Sequence, residues 1–196
     1  MFRVGFVSPK GGTGKTVLAV SAVLYLDAVI APAGLVDTSP APMGALMLGA
    51  EPKPGVYGGR EEIPVAVTSL ETLADGYDAL YQHGAVVAVV DLPPMAKTPR
   101  LDVAVVVADP PGLRFVEEFK VDATYVILAV NMADKVEGYK NAANAVVALP
   151  YSPGVARAYQ MGMPPILVHH PKAHTLAAWK RSFLKLMEIV VKEIRR

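Results

Sequence analysis

The chain has 196 residues, 53% of them hydrophobic, and we expect a single domain over residues 1–196 that buries a core of its own. It contains no cysteine, which excludes a cysteine-ligated iron–sulfur cluster, a disulfide framework and a thiol nucleophile. The formal net charge is +1, from 19 Lys/Arg and 18 Asp/Glu residues. Residues 169–196 contain seven of the Lys/Arg residues and two of the Asp/Glu residues, so this end of the chain is basic.

Valine-rich runs bounded by Gly, Pro and Asp alternate along the chain with stretches of helical pattern. Three of these runs are AVVAVV, LDVAVVVA and TYVILAV. Continuous apolar runs of this length are typical of strands that are buried on both faces of a parallel sheet. The alternation therefore predicts an α/β fold, doubly wound, with a mostly parallel sheet and helices on both faces.

The stretch PKGGTGKT, residues 9–16, lies between a predicted buried strand, FRVGFVS, and a predicted buried helix, VLAVSAVLYL. A glycine-rich turn that carries Gly-Lys-Thr between a strand and a helix is the setting of a phosphate-binding loop. Gly11, Gly12 and Gly14 allow backbone N–H groups to approach phosphate oxygens. The helix that follows adds a positive partial charge at its N-terminus.

Within this loop, Lys15 is placed to reach the β- and γ-phosphates of a nucleotide, and the Thr16 hydroxyl can ligate Mg²⁺. Lys10 stands where the usual pattern G-x-x-x-x-G-K-[ST] has glycine. The resulting KGGTGKT resembles the deviant loop of the ParA/MinD family of P-loop ATPases, a resemblance that extends over residues 1 to about 190. It implies the fold of that family (SIMIBI type), ATP and Mg²⁺ as cofactors, and a Lys10 that reaches the nucleotide of a partner subunit.

The segment DTSP follows a predicted second strand that ends in Leu35-Val36-Asp37. Ligands bind at the carboxyl ends of strands in open α/β sheets, so Asp37 is expected beside the loop. DTSP resembles the family's D-x-D-P motif, in which the second aspartate helps to position the attacking water. Here that residue is Ser39, and the glutamine that often follows the proline is Ala41. A helix cap or a loop residue is the alternative interpretation of Asp37.

Two later strands also end in polar residues. AVVAVVDLPP, residues 85–94, ends a strand with Asp91, which we interpret as a Walker B carboxylate that holds a Mg²⁺-bound water. The strand over 125–131 ends in NMAD, which resembles the family segment whose asparagine contacts the adenine. Asn131 is therefore the candidate for base recognition, with a turn asparagine as the alternative. The segment 148–167, which contains PYSP, resembles a family segment that packs near the adenine and leads into the last helix.

The predicted site thus has three overlapping sets of residues. The catalytic candidates are Lys10, Lys15 and Asp37, and the metal ligands are Thr16, Asp37 and Asp91. The residues expected to bind the nucleotide are Lys10, Gly11, Gly12, Thr13, Gly14, Lys15, Thr16 and Asn131.

The remaining elements are predicted from pattern alone. Residues 40–62 are rich in Pro and Gly, and we expect a short helix near 43–48 and then a mobile loop, a candidate switch region beside the phosphate site. Further expected elements are a strand over 64–69, a helix over 70–82, a strand over 101–108, a short helix over 113–119 and a last helix from about Thr175.

The last helix is predicted to have an apolar and a basic face. The residues expected in the core are Leu176, Trp179, Phe183, Leu186 or Met187, Val190 and Ile194, and the basic residues are Arg181, Lys185, Lys192 and Arg195. The simplest interpretation is a solvated helix face. The alternatives are non-specific DNA contact, as in ParA-type proteins, and anionic lipid contact, as in MinD. Lipid binding would expose the apolar face, so DNA is favoured over a membrane.

We expect a cytoplasmic protein. The N-terminal apolar segment supplies the strand before the loop rather than a signal peptide, and the longest apolar stretch, 17–36, is interrupted by Asp27 and Pro32.

The residues and the resemblance predict a switch ATPase that forms a homodimer with ATP, positions or partitions DNA or another cargo, and responds to an activating partner protein. Hydrolysis is expected to be slow because Ser39 replaces the second aspartate. Two alternatives remain, namely an ATP-dependent biosynthetic enzyme on the same fold and an ATP-binding regulator that barely hydrolyses.

Overall fold

The computed structural model describes residues 1–137, 139, 142–169 and 174–196. In these residues the strands are β1 Phe2–Val7, β2 Ala33–Asp37, β3 Gly55–Gly58, β4 Pro64–Val67, β5 Val87–Asp91, β6 Leu101–Ala108, β7 Ala123–Asn131 and β8 Ala145–Leu149. The helices are α1 Lys15–Val29, α2 Met43–Met47, α3 Leu73–Gln82, α4 Pro153–Gln160 and α5 His174–Ile194. Short 3-10 turns lie at Arg60–Glu62, Pro110–Phe115 and Pro165–Leu167.

The strands form one sheet in the order β3-β4-β2-β5-β1-β6-β7-β8. Neighbouring strands are parallel except at one edge, where β3 runs antiparallel to β4. The predicted α/β fold with a mostly parallel sheet is therefore confirmed. Because β1 lies between β5 and β6, the turn after β1 is flanked by the carboxyl ends of both strands.

The sheet is buried on both faces. Alternate residues of a strand point to opposite sides, and in β5 Val89 packs into one apolar cluster and Val90 into the other. The first cluster lies against α1, α2 and α5, and the second lies against α3 and the segment that follows β6. Helices therefore cover both faces, as the continuous valine-rich strands predict.

Several local predictions need correction. The expected mobile loop before β4 contains β3, which pairs with β4, and β8 was not predicted at all. The expected helix over 113–119 is instead a 3-10 turn that begins at Pro110, because the Asp109 carboxylate accepts the N–H of Gly112 and caps the turn earlier.

The final helix matches its predicted pattern. Leu176, Trp179, Phe183, Leu186, Met187 and Val190 are buried, and Ile194 is half-buried against the same cluster. The four predicted basic residues, Arg181, Lys185, Lys192 and Arg195, are all exposed. None of the helices in the described residues is long and apolar enough to span a membrane.

Candidate functional site

The glycine loop connects β1 to α1, which begins at Lys15. Gly12 and Gly14 have φ angles of 76° and 86°, in the left-handed region that favours glycine. A Cβ atom at Gly14 would overlap the Asn131 side chain, whereas a Cβ atom at Gly11 or Gly12 would meet no atom within 4 Å. Gly14 thus allows the turn to pack against Asn131, and Gly11 and Gly12 leave the space beside the loop open.

Lys15 and Thr16 converge on the carboxylate of Asp91 at the end of β5. Lys15 Nζ lies 2.5 Å from Asp91 Oδ1, and the Thr16 hydroxyl donates a hydrogen bond of 2.7 Å to Asp91 Oδ2. The Asp91 side chain is fully buried and that of Lys15 is 9% exposed. Three predicted site residues are therefore in direct contact.

Asp37 lies beside Asp91, because the two residues are paired in the register of β2 and β5. Its two oxygens accept backbone N–H groups, Oδ1 from Ser39 at 3.0 Å and Oδ2 from Ala45 at 3.1 Å. A Cβ atom at Gly44 would lie 2.8 Å from Oδ2, so a glycine is needed for this approach. Asp37 therefore holds the segment between β2 and α2, as the cap interpretation predicts, and its metal and catalytic roles stay predictions.

The environment of Asp37 favours its neutral form. Burial of the carboxyl group, and secondly the charge of Asp91, raise the pKa of Asp37 from 3.8 to about 6. The two backbone N–H groups oppose this shift without reversing it. Two carboxyl groups therefore sit side by side under the loop, and protonation of Asp37 takes place within two pH units of neutrality.

A cavity of about 470 Å³ opens beside the loop. It is lined by the loop itself and by Ser39, whose backbone Asp37 holds. Its lining also includes Met132, Trp179 and the side chains of Tyr151, Val155 and Tyr159, which lie in the segment 148–167 that resembles a family segment near the adenine. The polar loop and the apolar and aromatic side chains together suit a ligand that has both an anionic and an aromatic part.

Asn131 ends β7 and lines the same cavity. Its side-chain Nδ2 donates a hydrogen bond of 2.9 Å to the carbonyl oxygen of Thr13, so it ties the end of β7 to the loop. This contact gives Asn131 a part in shaping the loop, and base recognition by Asn131 stays a prediction.

Lys10 makes a contact that the sequence analysis missed. Its Nζ lies 2.7 Å from Oδ2 of Asp109, the residue that follows β6. The signal for this partner was present in the sequence, since Asp109 follows a predicted strand in the segment ADPPG. What the pattern lacked was the strand order, which places β6 next to β1.

The described residues contain no cluster of three His, Cys, Asp or Glu side chains that could hold a metal ion. A metal ion at this site would therefore rely on the Thr16 hydroxyl, on few carboxylates and on ligand oxygens. Such a mixed set of oxygen donors is what Mg²⁺ uses beside nucleotide phosphates.

No protein-family model matches the chain, and no curated protein matches it in sequence. Solved structures do match. A chain of the MinC:MinD cell division protein complex of Aquifex aeolicus superposes with a TM-score of 0.69 and 16% sequence identity, over 96% of both chains. The ParA family ATPase of Chlorobium tepidum gives 0.68 and 15%, over 95% of this chain and 97% of that one.

The chain has the fold of MinD and ParA ATPases. A third structure with this fold is the septum site-determining protein MinD of Pyrococcus horikoshii complexed with Mg-ADP, with a TM-score of 0.63 and 16% identity over 96% of this chain and 95% of that one. Sequence identities of 15–16% show a shared fold and no more. The function has to be inferred from the residues of the site.

Proposed function

We propose that the protein is a MinD/ParA-like ATPase that binds Mg²⁺–ATP in the cavity beside the glycine loop. The observation that carries this proposal is the convergence of Lys15 and Thr16 on the buried Asp91 carboxylate, at the first turn of α1 and next to the cavity. The phosphates would lie against the loop N–H groups and the N-terminus of α1. The apolar and aromatic side chains of the cavity would contact the base. That the MinD of Pyrococcus horikoshii is complexed with Mg-ADP supports this assignment.

The residues present fit Mg²⁺. The Thr16 hydroxyl, which lines the cavity, and the Asp91 carboxylate, to which it is hydrogen-bonded, are hard oxygen donors, and Asp37 lies beside Asp91. When bound, Mg²⁺ would neutralise charge that develops on the phosphates. Lys15 would turn from Asp91 towards the phosphates, where its ammonium group stabilises the same charge.

Hydrolysis by this site should be slow. Ser39 lines the cavity at the position where the family motif has its second aspartate. Its hydroxyl can hydrogen-bond a water molecule, but it cannot take the proton of that water at neutral pH. A long-lived ATP-bound state follows, and an activating partner protein would supply the missing group. If hydrolysis is negligible even then, the protein acts as an ATP-binding regulator.

The second part of the proposal is a homodimer that forms with ATP and positions or partitions a cargo. Its support is the resemblance of the KGGTGKT loop, in which Lys10 would contact the nucleotide of the other subunit. The MinC:MinD structure is a complex between different proteins, which supports partner proteins as well. A biosynthetic enzyme on the same fold remains the alternative, and a small-molecule substrate bound beside ATP would distinguish it.

For the cargo we favour DNA, because α5 exposes a basic face while its apolar face is buried. The basic residues on this face are Arg181, Lys185, Lys192 and Arg195. Four phosphate contacts would give a slope of about −3.6 for the logarithm of affinity against the logarithm of salt concentration. Replacing the four residues by glutamine should flatten this slope. No DNA binding by the wild type at low salt with ATP present would redirect the search to a protein or a membrane.

The test of nucleotide binding is a thermal shift. At a ligand concentration about 100 times Kd, binding adds roughly 2.7 kcal/mol to the unfolding free energy, or about 5–10 °C in Tm for a chain of this size. Lys15→Ala should lose most of the difference between the Tm values with and without ATP. If neither ATP, ADP nor GTP shifts the Tm of the wild type, the proposed function is wrong.

A further inference from the structure

Lys10 is directed to a partner within its own subunit. Its ammonium group pairs with the Asp109 carboxylate, with Lys10 34% and Asp109 15% exposed in their side chains. The other oxygen of Asp109 accepts the N–H of Gly112 at 2.9 Å, which fixes the carboxylate at the start of the 3-10 turn. The glycine loop lines the cavity from Gly11 onwards, and the Lys10 side chain extends to the turn after β6 instead.

The surroundings are shaped to accept this pair. A Cβ atom at Gly112 would lie 2.6 Å from Asp109 Oδ1 and 3.1 Å from Lys10 Cε, so glycine at this position leaves room for both side chains. The aliphatic part of Lys10 therefore packs on the turn while its charge is neutralised by Asp109. While Lys10 stays beside this carboxylate, the negative charge of Asp109 offsets part of the attraction of the ammonium group for a second anion.

We propose that Asp109 is a positioning residue that retains Lys10 within its own subunit and thereby opposes the ATP-dependent dimer. This inference rests on the proposed function, because it assigns a cost to the step in which Lys10 reaches the nucleotide of the other subunit. The pair is partly exposed, so it is weak enough to be exchanged for a phosphate contact. Asp109 then sets the protein concentration at which ATP-bound subunits associate.

The test is Asp109→Asn, studied with a non-hydrolysable ATP analogue. Asparagine keeps a carbonyl oxygen for the Gly112 N–H and removes the negative charge that holds Lys10. An exposed pair changes an equilibrium constant about 1.4- to 5-fold, and two pairs are broken in a symmetric dimer, so the dimer Kd should fall about 2- to 30-fold. Sedimentation or light scattering over a protein dilution series measures this shift.

Two controls separate release of Lys10 from other effects. Asp27→Asn removes a carboxylate that also accepts a backbone N–H, from Ala33 at the start of β2, and it should leave the dimer Kd unchanged. The double variant Lys10→Ala/Asp109→Asn should match Lys10→Ala alone, because without the lysine there is nothing to release. A merely structural role of Asp109 would lower stability and weaken the dimer, which is the opposite sign.

Outcomes for this inference and for the proposed function can be told apart. If the ATP analogue binds and the wild type dimerises, but Asp109→Asn dimerises no more tightly, the inference is wrong and the function stands. A double variant that dimerises more tightly than Lys10→Ala alone also overturns it. If the analogue does not bind at all, the proposed function fails and the inference fails with it.

Discussion

The two ends of the glycine loop hold the same kind of ion pair in different surroundings. At one end Lys15 meets Asp91, with the two side chains 9% and 0% exposed, whereas at the other end Lys10 meets Asp109, with 34% and 15% exposed. A buried charge without its partner is costly, whereas an exposed pair contributes little to stability. The first pair should therefore contribute more to the stability of the nucleotide-free protein than the second.

The largest expected effect compares removal of the two lysines. Lys15→Met leaves the buried Asp91 without its cation and should lower the unfolding free energy of the nucleotide-free protein by about 3–5 kcal/mol. Lys10→Met should cost less than about 1 kcal/mol. Urea unfolding of the three proteins measures both values. Equal losses would remove the distinction between the two ends.

A second test concerns the carboxyl group next to the buried pair. The pKa of Asp37 is raised from 3.8 to about 6, so its protonated form stabilises the fold. That stability is fully present below about pH 3.8 and is lost as the pH rises through 6, with a total of about 3 kcal/mol. Relative to the wild type, Asp37→Asn should therefore gain about 2 kcal/mol between pH 4 and pH 7, because part of the total is already lost at pH 4.

The measurement for Asp37 is urea unfolding at both pH values without nucleotide or metal. Because asparagine keeps one acceptor for the two backbone N–H groups, the variant loses a hydrogen bond at every pH. That loss cancels when the two pH values are compared. A stability difference that does not vary with pH would show that Asp37 is ionised in the fold at no cost.

The next prediction concerns the rate of ATP turnover and the residue Ser39, which lines the cavity. Ser39→Asp restores a group that can position a water molecule and accept its proton, and we expect the ATP turnover rate to rise about a hundredfold. The matched control is Ser39→Asn, which offers similar size and hydrogen bonding but no base. Single-turnover hydrolysis at saturating Mg²⁺–ATP separates the two. Brisk turnover by the wild type alone would point to another residue, first among the acidic residues of 51–62.

The smallest effect is expected for ATP affinity at the exposed end. In dilute protein, where subunits are separate, Lys10→Ala should change the Kd for ATP by less than about twofold, since its side chain is held by Asp109 outside the cavity. At high protein concentration the same variant should dimerise less than the wild type. A large loss of affinity in dilute protein would place Lys10 on the nucleotide of its own subunit.

Much of the buried end could be predicted from the sequence because it depends on local pattern. A strand followed by Gly-Lys-Thr and a helix fixes where Lys15 lies, and parallel strands bring Asp37 and Asp91 to one edge of the sheet. The contact of Lys10 with Asp109 depends on β6 lying beside β1, and the hydrophobic pattern of the sequence does not reveal the order of the strands. By contrast, the backbone N–H groups that Asp37 binds belong to Ser39 and Ala45, which are near it in sequence, and the cap interpretation of Asp37 allowed for such contacts.

Strand β3 was not predicted for a different reason. β3 consists of two apolar residues between glycines, Gly55–Gly58, which is too short for any alternation to be recognised. Its strand geometry comes from pairing with β4 rather than from its own composition. The loop residues around it were therefore judged by their Pro and Gly content alone.

Trp179 gives the molecule an optical reporter of its own. It is the chain's single tryptophan, it is 1% exposed, and it lines the cavity beside the glycine loop. Its ring stacks on Phe183 at 5.4 Å between centroids, so its position is fixed by α5. A change in its emission on addition of ligand would therefore come from this one place, and occupancy of the cavity can be followed in the unlabelled protein.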